Sequence, residues 1–446
     1  MESWRQSEIK KISPTSVGAL NGGGNKNREI FTVRILPHSP TTATTTDNHV
    51  PSEASGARRQ ARLDSSRIAY PPPSRSAELR RLRWARRRES SKLLAPLGTP
   101  TGTGYMKPVR PARCSWTIGQ SVGIMHDGTR PAGYTGIERC GSIWSCPHCG
   151  AVIRAGRAAE IEHAAIEHQK TGGDLLFFTG TVRHHKADKL AVTLDAALEA
   201  WRRVIRGRAW QKKKTRLGIS GYIRATEITY GENGWHPHVH VALLLDEKIS
   251  PEALDEFRTW LFDRWAECVE RSGGKRPTAN GLDLQRVDDK GKVLARYLSK
   301  VQDEKKWSVG AEMARGDLKQ AREKTSLTPF DLLDADSDIP EEERGRLWRE
   351  YYAATKGRRA FSWSRGLKAR YAVEEREDED ILDEAESTNP VWRTSARSYR
   401  AARNAAPGDQ LLSLALEHAE TEDWPALATI LPPDESDPPD PPPAGA

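Results

Sequence analysis

The sequence is short of what a chain packed from end to end would need. Of its 446 residues only 37% are hydrophobic and 7% aromatic, and 4 are Met, against 29% charged, 28 Pro and 35 Gly. So thin an apolar content predicts one substantial folded region flanked by disordered ends. No run approaches the ~20 consecutive apolar residues of a membrane span, which excludes an integral membrane protein. The N-terminus is charged but lacks the apolar segment of a secretory signal, so secretion is not expected. Cysteine is scarce and odd in number: five, three of them between Cys140 and Cys149. That clustering suits metal ligation in a reducing cytoplasm better than a disulfide framework.

What the chain has in excess is positive charge, unevenly placed. The net charge is +8, with 20 Lys/Arg against 8 Asp/Glu in residues 1–110 and 5 against 18 in residues 371–446, which leaves the middle at +9. A basic body with a basic arm and an acidic tail is the footprint of a nucleic-acid-binding protein; the bland alternative is a solvated basic surface with no partner. Residues 1–111 read as a disordered basic arm, except that the Arg80–Arg88 run within Ala77–Leu94 can form a short basic helix. The alternative is that translation starts downstream, for example at Met106, and the arm is never made. Residues 374–446 read as an acidic, Pro-rich, mostly disordered tail.

Between residues 174 and 306 the periodicities are sharp. Leu175–Phe178 running into Thr179 and Thr181 predicts a buried strand, and Leu190, Leu194, Ala197, Leu198, Trp201 and Ile205 recur at helical spacing. Gly221–Thr229 and His236–Leu245 predict two strands joined by the turn Gly231-Glu232-Asn233-Gly234. A helix through Leu254, Phe257, Leu261, Trp265 and Cys268, a strand at Leu282–Val287 and a helix over Lys290–Glu304 complete a β-α-β-β-α-β-α order. The expectation is an α+β fold: a ferredoxin-like antiparallel sheet with helices on one face. Residues 307–373 predict a helical basic extension. Within it Lys356, Arg358, Arg359, Trp363 and Arg365 mix cations with aromatics, as a DNA-binding surface does; a helix with snorkelling arginines fits the pattern equally.

The segment His236-Pro237-His238-Val239-His240 carries the chemistry. On a strand, His238 and His240 share one face, about 6–7 Å apart along the backbone, while Val239, Val241 and Leu243 face the helices. Counting back through a four-residue turn pairs Tyr230 with Trp235 and sets Glu227 opposite His238, with Cβ atoms ~5 Å apart. Two imidazoles and a carboxylate suit Mg²⁺, Mn²⁺ or Zn²⁺; a register slip of one residue would destroy the set. Downstream, Tyr297 and Lys300 lie three apart on one helical face. A nearby ammonium would favour the phenolate of Tyr297, otherwise a poor nucleophile near neutrality. A packing tyrosine is the alternative. Cys140, Cys146 and Cys149 offer ligands for a structural Zn²⁺ in residues 112–160, with the fourth from Cys114, His126 or His148; free thiols are the alternative. Cys268 reads as a core residue.

Phe177–Thr181, His236–Leu243 and Tyr297–Lys300, in that order, resemble the three motifs of the His-hydrophobe-His (HUH) endonucleases. The chain is similar, more narrowly, to the rolling-circle replication initiator (Rep) proteins of bacterial plasmids, notably actinobacterial ones. Cys146-Pro147-His148-Cys149 and Lys356–Ser364 strengthen that likeness, which covers roughly residues 112–370. It implies a nicking domain at 174–306 with an HUH endonuclease fold. In it Tyr297 attacks the double-strand origin, stays joined to the 5′ phosphate and leaves a 3′-OH to prime synthesis. It also implies that His238, His240 and Glu227 hold Mg²⁺ or Mn²⁺, that Lys300 is the electrostatic partner, and that the partners are plasmid origin DNA, duplex and single-stranded, a host helicase and a single-strand-binding protein. The chain departs from relatives that carry Glu one turn before the tyrosine: Val293 stands there, so the group that ends a replication round is open. Three rival readings remain: a relaxase or HUH transposase, disfavoured because Tyr297 follows the histidines; a non-catalytic zinc-containing DNA-binding regulator; and a metal hydrolase acting on another phosphoester.

Overall fold

The structure is a computed structural model, and it describes residues 75–128, 130–287, 326–384, 389–405 and 408–434. The described chain enters as helix α1 (Arg75–Leu94), the small strands β1 (Thr99–Pro100) and β2 (Met106–Lys107), and the single turn α2 (Arg110–Arg113). Strands β3 (Ser121–Met125) and β4 (Gly133–Thr135) follow, then the long helix α3 (Pro147–Lys170). The central run is β5 (Asp174–Thr181), α4 (Leu190–Val204), α5 (Gly207–Arg216), β6 (Ile219–Gly231), β7 (Gly234–Leu245), α6 (Pro251–Arg271) and β8 (Leu282–Arg286). Beyond it come β9 (Ser326–Leu327), α7 (Glu341–Thr355), β10 (Phe361–Trp363), α8 (Leu367–Arg370) and α9 (Asp378–Glu384). The chain then runs through β11 (Pro390–Ser395), α10 (Ala396–Asn404), α11 (Gly408–Glu420) and α12 (Trp424–Ile430).

The mixture of helix and antiparallel sheet is the expected α+β class. Strands order as β10-β6-β7-β5-β8, every pairing antiparallel, with β9 added beside the far end of β6. Alternation sends Leu176, Phe178, Val239, Val241 and Leu243 to one face. There they bury against Trp201 of α4 and Phe257, Leu261 and Trp265 of α6. Cys268 is in that same core. Burial of large apolar side chains contributes roughly 1.5–3 kcal/mol each, which is why α4 and α6 hold this face.

Three expectations need correction. Helices do not cover one face alone: Ile161, Ala164 and Ala165 of α3, at helical spacing, pack on the opposite face over Leu175, Ile223, Ala242 and Leu244. The helix α5, anchored by buried Trp210, stands where the sequence predicted no helix. The extension is not helical throughout: at Phe361–Trp363 it alternates as a strand, with Phe361 and Trp363 paired to Ala225 and Ile223. The predicted helix over Lys290–Glu304 lies outside the described residues.

A second core joins the basic helix expected within Ala77–Leu94 to a C-terminal segment more ordered than its charge suggested. Strands β11-β3-β4 form a small antiparallel sheet. Val122, Ile124, Tyr134, Trp392 and Tyr399 pack there with Leu411, Leu412, Ala415 and Leu427, and Trp84 of α1 completes the cluster. The segment expected as a disordered acidic tail therefore holds α9 to α12 and β11. Two of its acids pair with α1: Arg81 meets Glu417 at 2.7 Å, and Arg80 meets Glu420. The basic run and the acidic run, read as independent tails, are partners across one helix pair. Among the described residues no helix is long and apolar enough to cross a membrane.

Candidate functional site

The β6–β7 hairpin sets the histidines in place. Gly231 pairs with Gly234 around Glu232-Asn233, so Tyr230 faces Trp235 and Glu227 faces His238. Gly234 has φ +83°, and a Cβ there would come within 2.9 Å of the Lys186 backbone, so only glycine closes this turn without strain. Trp235 stacks on Tyr351 of α7 at 5.7 Å and meets Tyr230 edge-on at 5.0 Å, which anchors the strand one residue before the first histidine.

From there the imidazoles run in a row. Ring centroids are 4.1 Å apart for His236–His238 and 5.7 Å for His238–His240, and Phe177 stacks on His240 at 5.6 Å. His240 is only 2% exposed. Its Nε2 lies 3.0 Å from Glu227 Oε2 and its Nδ1 lies 3.1 Å from Thr179 Oγ1. As it stands, Nε2–H donates to the carboxylate and Nδ1 accepts from the hydroxyl. A cation taking both Nε2 and Oε2 would reverse the ring, with Nδ1–H donating to Thr179, the usual support of a metal-bound histidine. The 3.0 Å separation is also the ~3.0 Å edge between neighbouring ligands of an octahedral site with bonds of ~2.1 Å. His240 and Glu227 thus have the spacing of two neighbouring ligands, while among the described residues His238 does not complete with them a three-ligand group whose donor atoms all lie within 4.8 Å. His184 extends the row at 4.7 Å from His236; its Nδ1–H donates to the Asn233 carbonyl at 2.9 Å, and burial holds its pKa below the usual imidazole range.

The four cysteines make a tighter group. Among the described residues, Cys114, Cys140, Cys146 and Cys149 form the one cluster of three or more metal-ligating side chains whose donor atoms all lie within 4.8 Å. The Sγ separations are 3.5 Å for Cys146–Cys114, 3.7 Å for Cys114–Cys149 and 3.8 Å for Cys140–Cys149. A tetrahedron of thiolates at Zn–S ~2.3 Å has edges of about 3.8 Å, so this buried group can bind a metal such as zinc. Hydrogen bonds from Cys140, Cys146 and Cys149 pull the Cys114 thiol well below its ordinary pKa; the same network raises Cys140 and Cys146. Of the three candidates for fourth ligand, Cys114 closes the cluster. His148 turns instead onto Trp84, ring centroids 4.2 Å apart, and burial pushes its pKa down to about 3.

The basic segment is drawn to the same sheet. Arg224, its pKa lowered by burial to about 10, donates to Ser362 Oγ at 2.9 Å and to the Arg359 carbonyl at 3.2 Å. Lys356, Arg359 and Arg365 are exposed there, Arg358 pairs with Asp195 and accepts a bond on its carbonyl from Trp144, and Trp363 lies under Lys368. Because Phe361 and Trp363 pair with Ala225 and Ile223, they share the face of His240 and Glu227. Tyr297, Lys300 and Val293 lie outside the described residues. The support given by Thr179 and the place of His184 were missed from sequence. The strand alternation held Thr179 in view, but only the pairing of β5 with β7 brings it opposite His240.

A family profile described as Replication protein matches residues 140–404. Among similar proteins is Protein rep of Streptomyces lividans, 32% identical over 310 residues, which covers 55% of this chain and 67% of the relative. Another is a Neomycin resistance protein of Streptomyces cyanogenus, 32% identical over 170 residues, 31% of this chain and 39% of the relative. Protein rep of a Bacillus species is 31% identical over 157 residues, 34% of this chain and 47% of the relative. No solved structure matches the chain.

Proposed function

The chain belongs to the replication protein (Rep) family, whose work is plasmid replication initiation, and from that premise we propose that it nicks and rejoins origin DNA for rolling-circle replication. The observation that carries this reading is the meeting of His240 Nε2 and Glu227 Oε2 at 3.0 Å, on the sheet face that also displays His238. The sheet has the paired-histidine strand in the middle of its order, which supports an HUH endonuclease fold. Residues 174–306 serve as the nicking domain, and β10 from the 307–373 extension closes its edge. Residues 112–160 form the cysteine segment, here read as a zinc support for that sheet.

His238, His240 and Glu227 hold the divalent ion, and Thr179 orients His240. A bound Mg²⁺ or Mn²⁺ would supply Lewis-acid polarisation of the scissile phosphate. The Tyr297 hydroxyl gives up its proton and its oxygen bonds to phosphorus as the bond to the 3′ oxygen breaks. The products are a 5′-phosphotyrosine and a protonated 3′-OH that can prime synthesis. Lys300 favours the phenolate and offsets developing negative charge. Lys356, Arg359 and Arg365, with Trp363, track the single strand across the shared face. A host helicase and a single-strand-binding protein would act on the displaced strand, in the cytoplasm.

The test is incubation with single-stranded origin DNA and Mn²⁺. An SDS-stable protein–DNA band, absent in Tyr297→Phe and in His238→Ala/His240→Ala, is expected. A strong band from Tyr297→Phe would dismiss the assigned nucleophile. The tight four-cysteine cluster favours one second reading, a zinc-containing DNA-binding regulator, which predicts duplex binding without any adduct.

A further inference from the structure

The β11-β3-β4 unit carries a basic helix that the nicking reading leaves unused. Helix α10 starts at the Ser395 cap, whose Oγ accepts from Ser398 N at 3.1 Å. It buries Ala396, Tyr399 and Ala402 on one side. On the adjacent face, about 100° round the helix, Arg397, Arg400 and Arg403 recur at every third position, and no Asp or Glu lies within Ala396–Asn404. Arg397 and Arg400 are exposed. Two contacts to the segment before β3 hold the stripe in line: Arg400 donates to Thr117 Oγ1 at 3.0 Å, and the Arg403 guanidinium sits 5.9 Å from the Trp116 ring centroid. Glu417 and Glu420 of neighbouring α11 are engaged elsewhere, by Arg81 and Arg80 of α1.

We propose that this face of α10 is a second DNA contact, binding the phosphate backbone of duplex DNA while the histidine sheet handles the single strand. From Arg397 to Arg403 the helix rises ~9 Å, the axial reach of three or four consecutive phosphates on one strand. Arginine suits the task because its planar fork grips phosphate oxygens in pairs. Phosphate contacts fix position without reading sequence, so the surface holds any duplex, and an origin is selected elsewhere. The proposal rests on the DNA-handling reading above, but its measurement does not depend on nicking.

The experiment compares the full chain with Arg397→Gln/Arg400→Gln and with Arg397→Lys/Arg400→Lys, titrating an origin duplex and an unrelated duplex of equal length across salt. The Gln pair should weaken both duplexes alike, by about tenfold near 0.15 M salt, and lower the salt slope by about 1.8. The Lys pair should restore most of both. Adduct formation on single-stranded origin DNA should remain within twofold of the unsubstituted chain in every variant. An unchanged affinity and slope in the Gln pair would overturn the proposal; so would a loss confined to the origin duplex, which would mean base reading instead. Absence of any adduct from the unsubstituted chain would sink the nicking reading alone and leave the duplex comparison intact.

Discussion

Replacing Thr179 by Val isolates a single hydrogen bond in the candidate metal site. Valine keeps the shape of the side chain, so the change removes only the hydroxyl that lies 3.1 Å from His240 Nδ1. His240 is 2% exposed, so water cannot take the hydroxyl's place. The ring then loses the group that fixes its tautomer while Nε2 faces the cation. Loss of such a supporting partner costs metal affinity roughly 10–100-fold, or about 1.4–2.7 kcal/mol. Measured as the Mn²⁺ concentration giving half-maximal adduct with single-stranded origin DNA, the midpoint should rise by that factor. At saturating Mn²⁺ the rate should return to within about threefold of the unsubstituted chain, because the remaining ligands are intact. A direct Mn²⁺ titration followed by spin resonance should show the same shift without relying on catalysis. A midpoint within twofold of the original, or activity that excess metal does not restore, would refute the placement of the cation between His240 and Glu227.

Three further outcomes follow from the geometry. Zinc added to metal-free protein at pH 7 should bind one equivalent and release at least two protons, those of Cys140 and Cys146, whose pKa values are raised; fewer than two, read with a pH indicator, would contradict a four-thiolate site. Burial holds the His168 pKa below the usual imidazole range, so below about pH 6.5 the unfolded chain binds a proton that the folded chain does not. Folding stability should therefore fall with acidification by up to ~1.4 kcal/mol per pH unit relative to His168→Gln, compared by urea melts at pH 7 and pH 5. Arg86 is fully buried and donates to Asp334 Oδ1 at 2.6 Å and to Asp331 at 2.8 Å, so Asp334→Ala should cost about 3–5 kcal/mol in the same melts, whereas a loss under 1 kcal/mol would mean that the pair is solvated.

The parts of the fold legible in the sequence are those fixed by local pattern. Two glycines bracketing Glu232-Asn233, with alternation on either side, leave the hairpin one register, and Glu227 opposite His238 follows from counting. Thr179 was invisible as a partner because the β5–β7 pairing spans about sixty residues, and no turn chemistry fixes a register at that distance. The second face of the sheet was missed for a related reason: α3 is Ala-rich, and its Ile161, Ala164 and Ala165 match a groove that only the assembled strands create. Charge misled most. Summing residues 371–446 hid Leu411, Leu412, Ala415 and Leu427, which bury completely once α1 answers the acids beside them. Cys114 could not be chosen over His148 by spacing, since the choice depends on Trp84 occupying the imidazole face.

Helix α1 lies before the stretch that matches the replication protein family, yet it enters three environments at once. Trp84 sits in the small-sheet core, Leu93 and Leu94 in the core that also holds the cysteines, and Arg87 donates to the carbonyl of Cys114 at 3.0 Å. A polypeptide initiated at Met106 would forfeit all of these together, leaving Asp331 and Asp334 facing an emptied slot and His148 without its aromatic cover. Helix α1 is thus masonry for the rest of the described protein, and a shortened product lacking it should be recovered from a cell as protease-sensitive material.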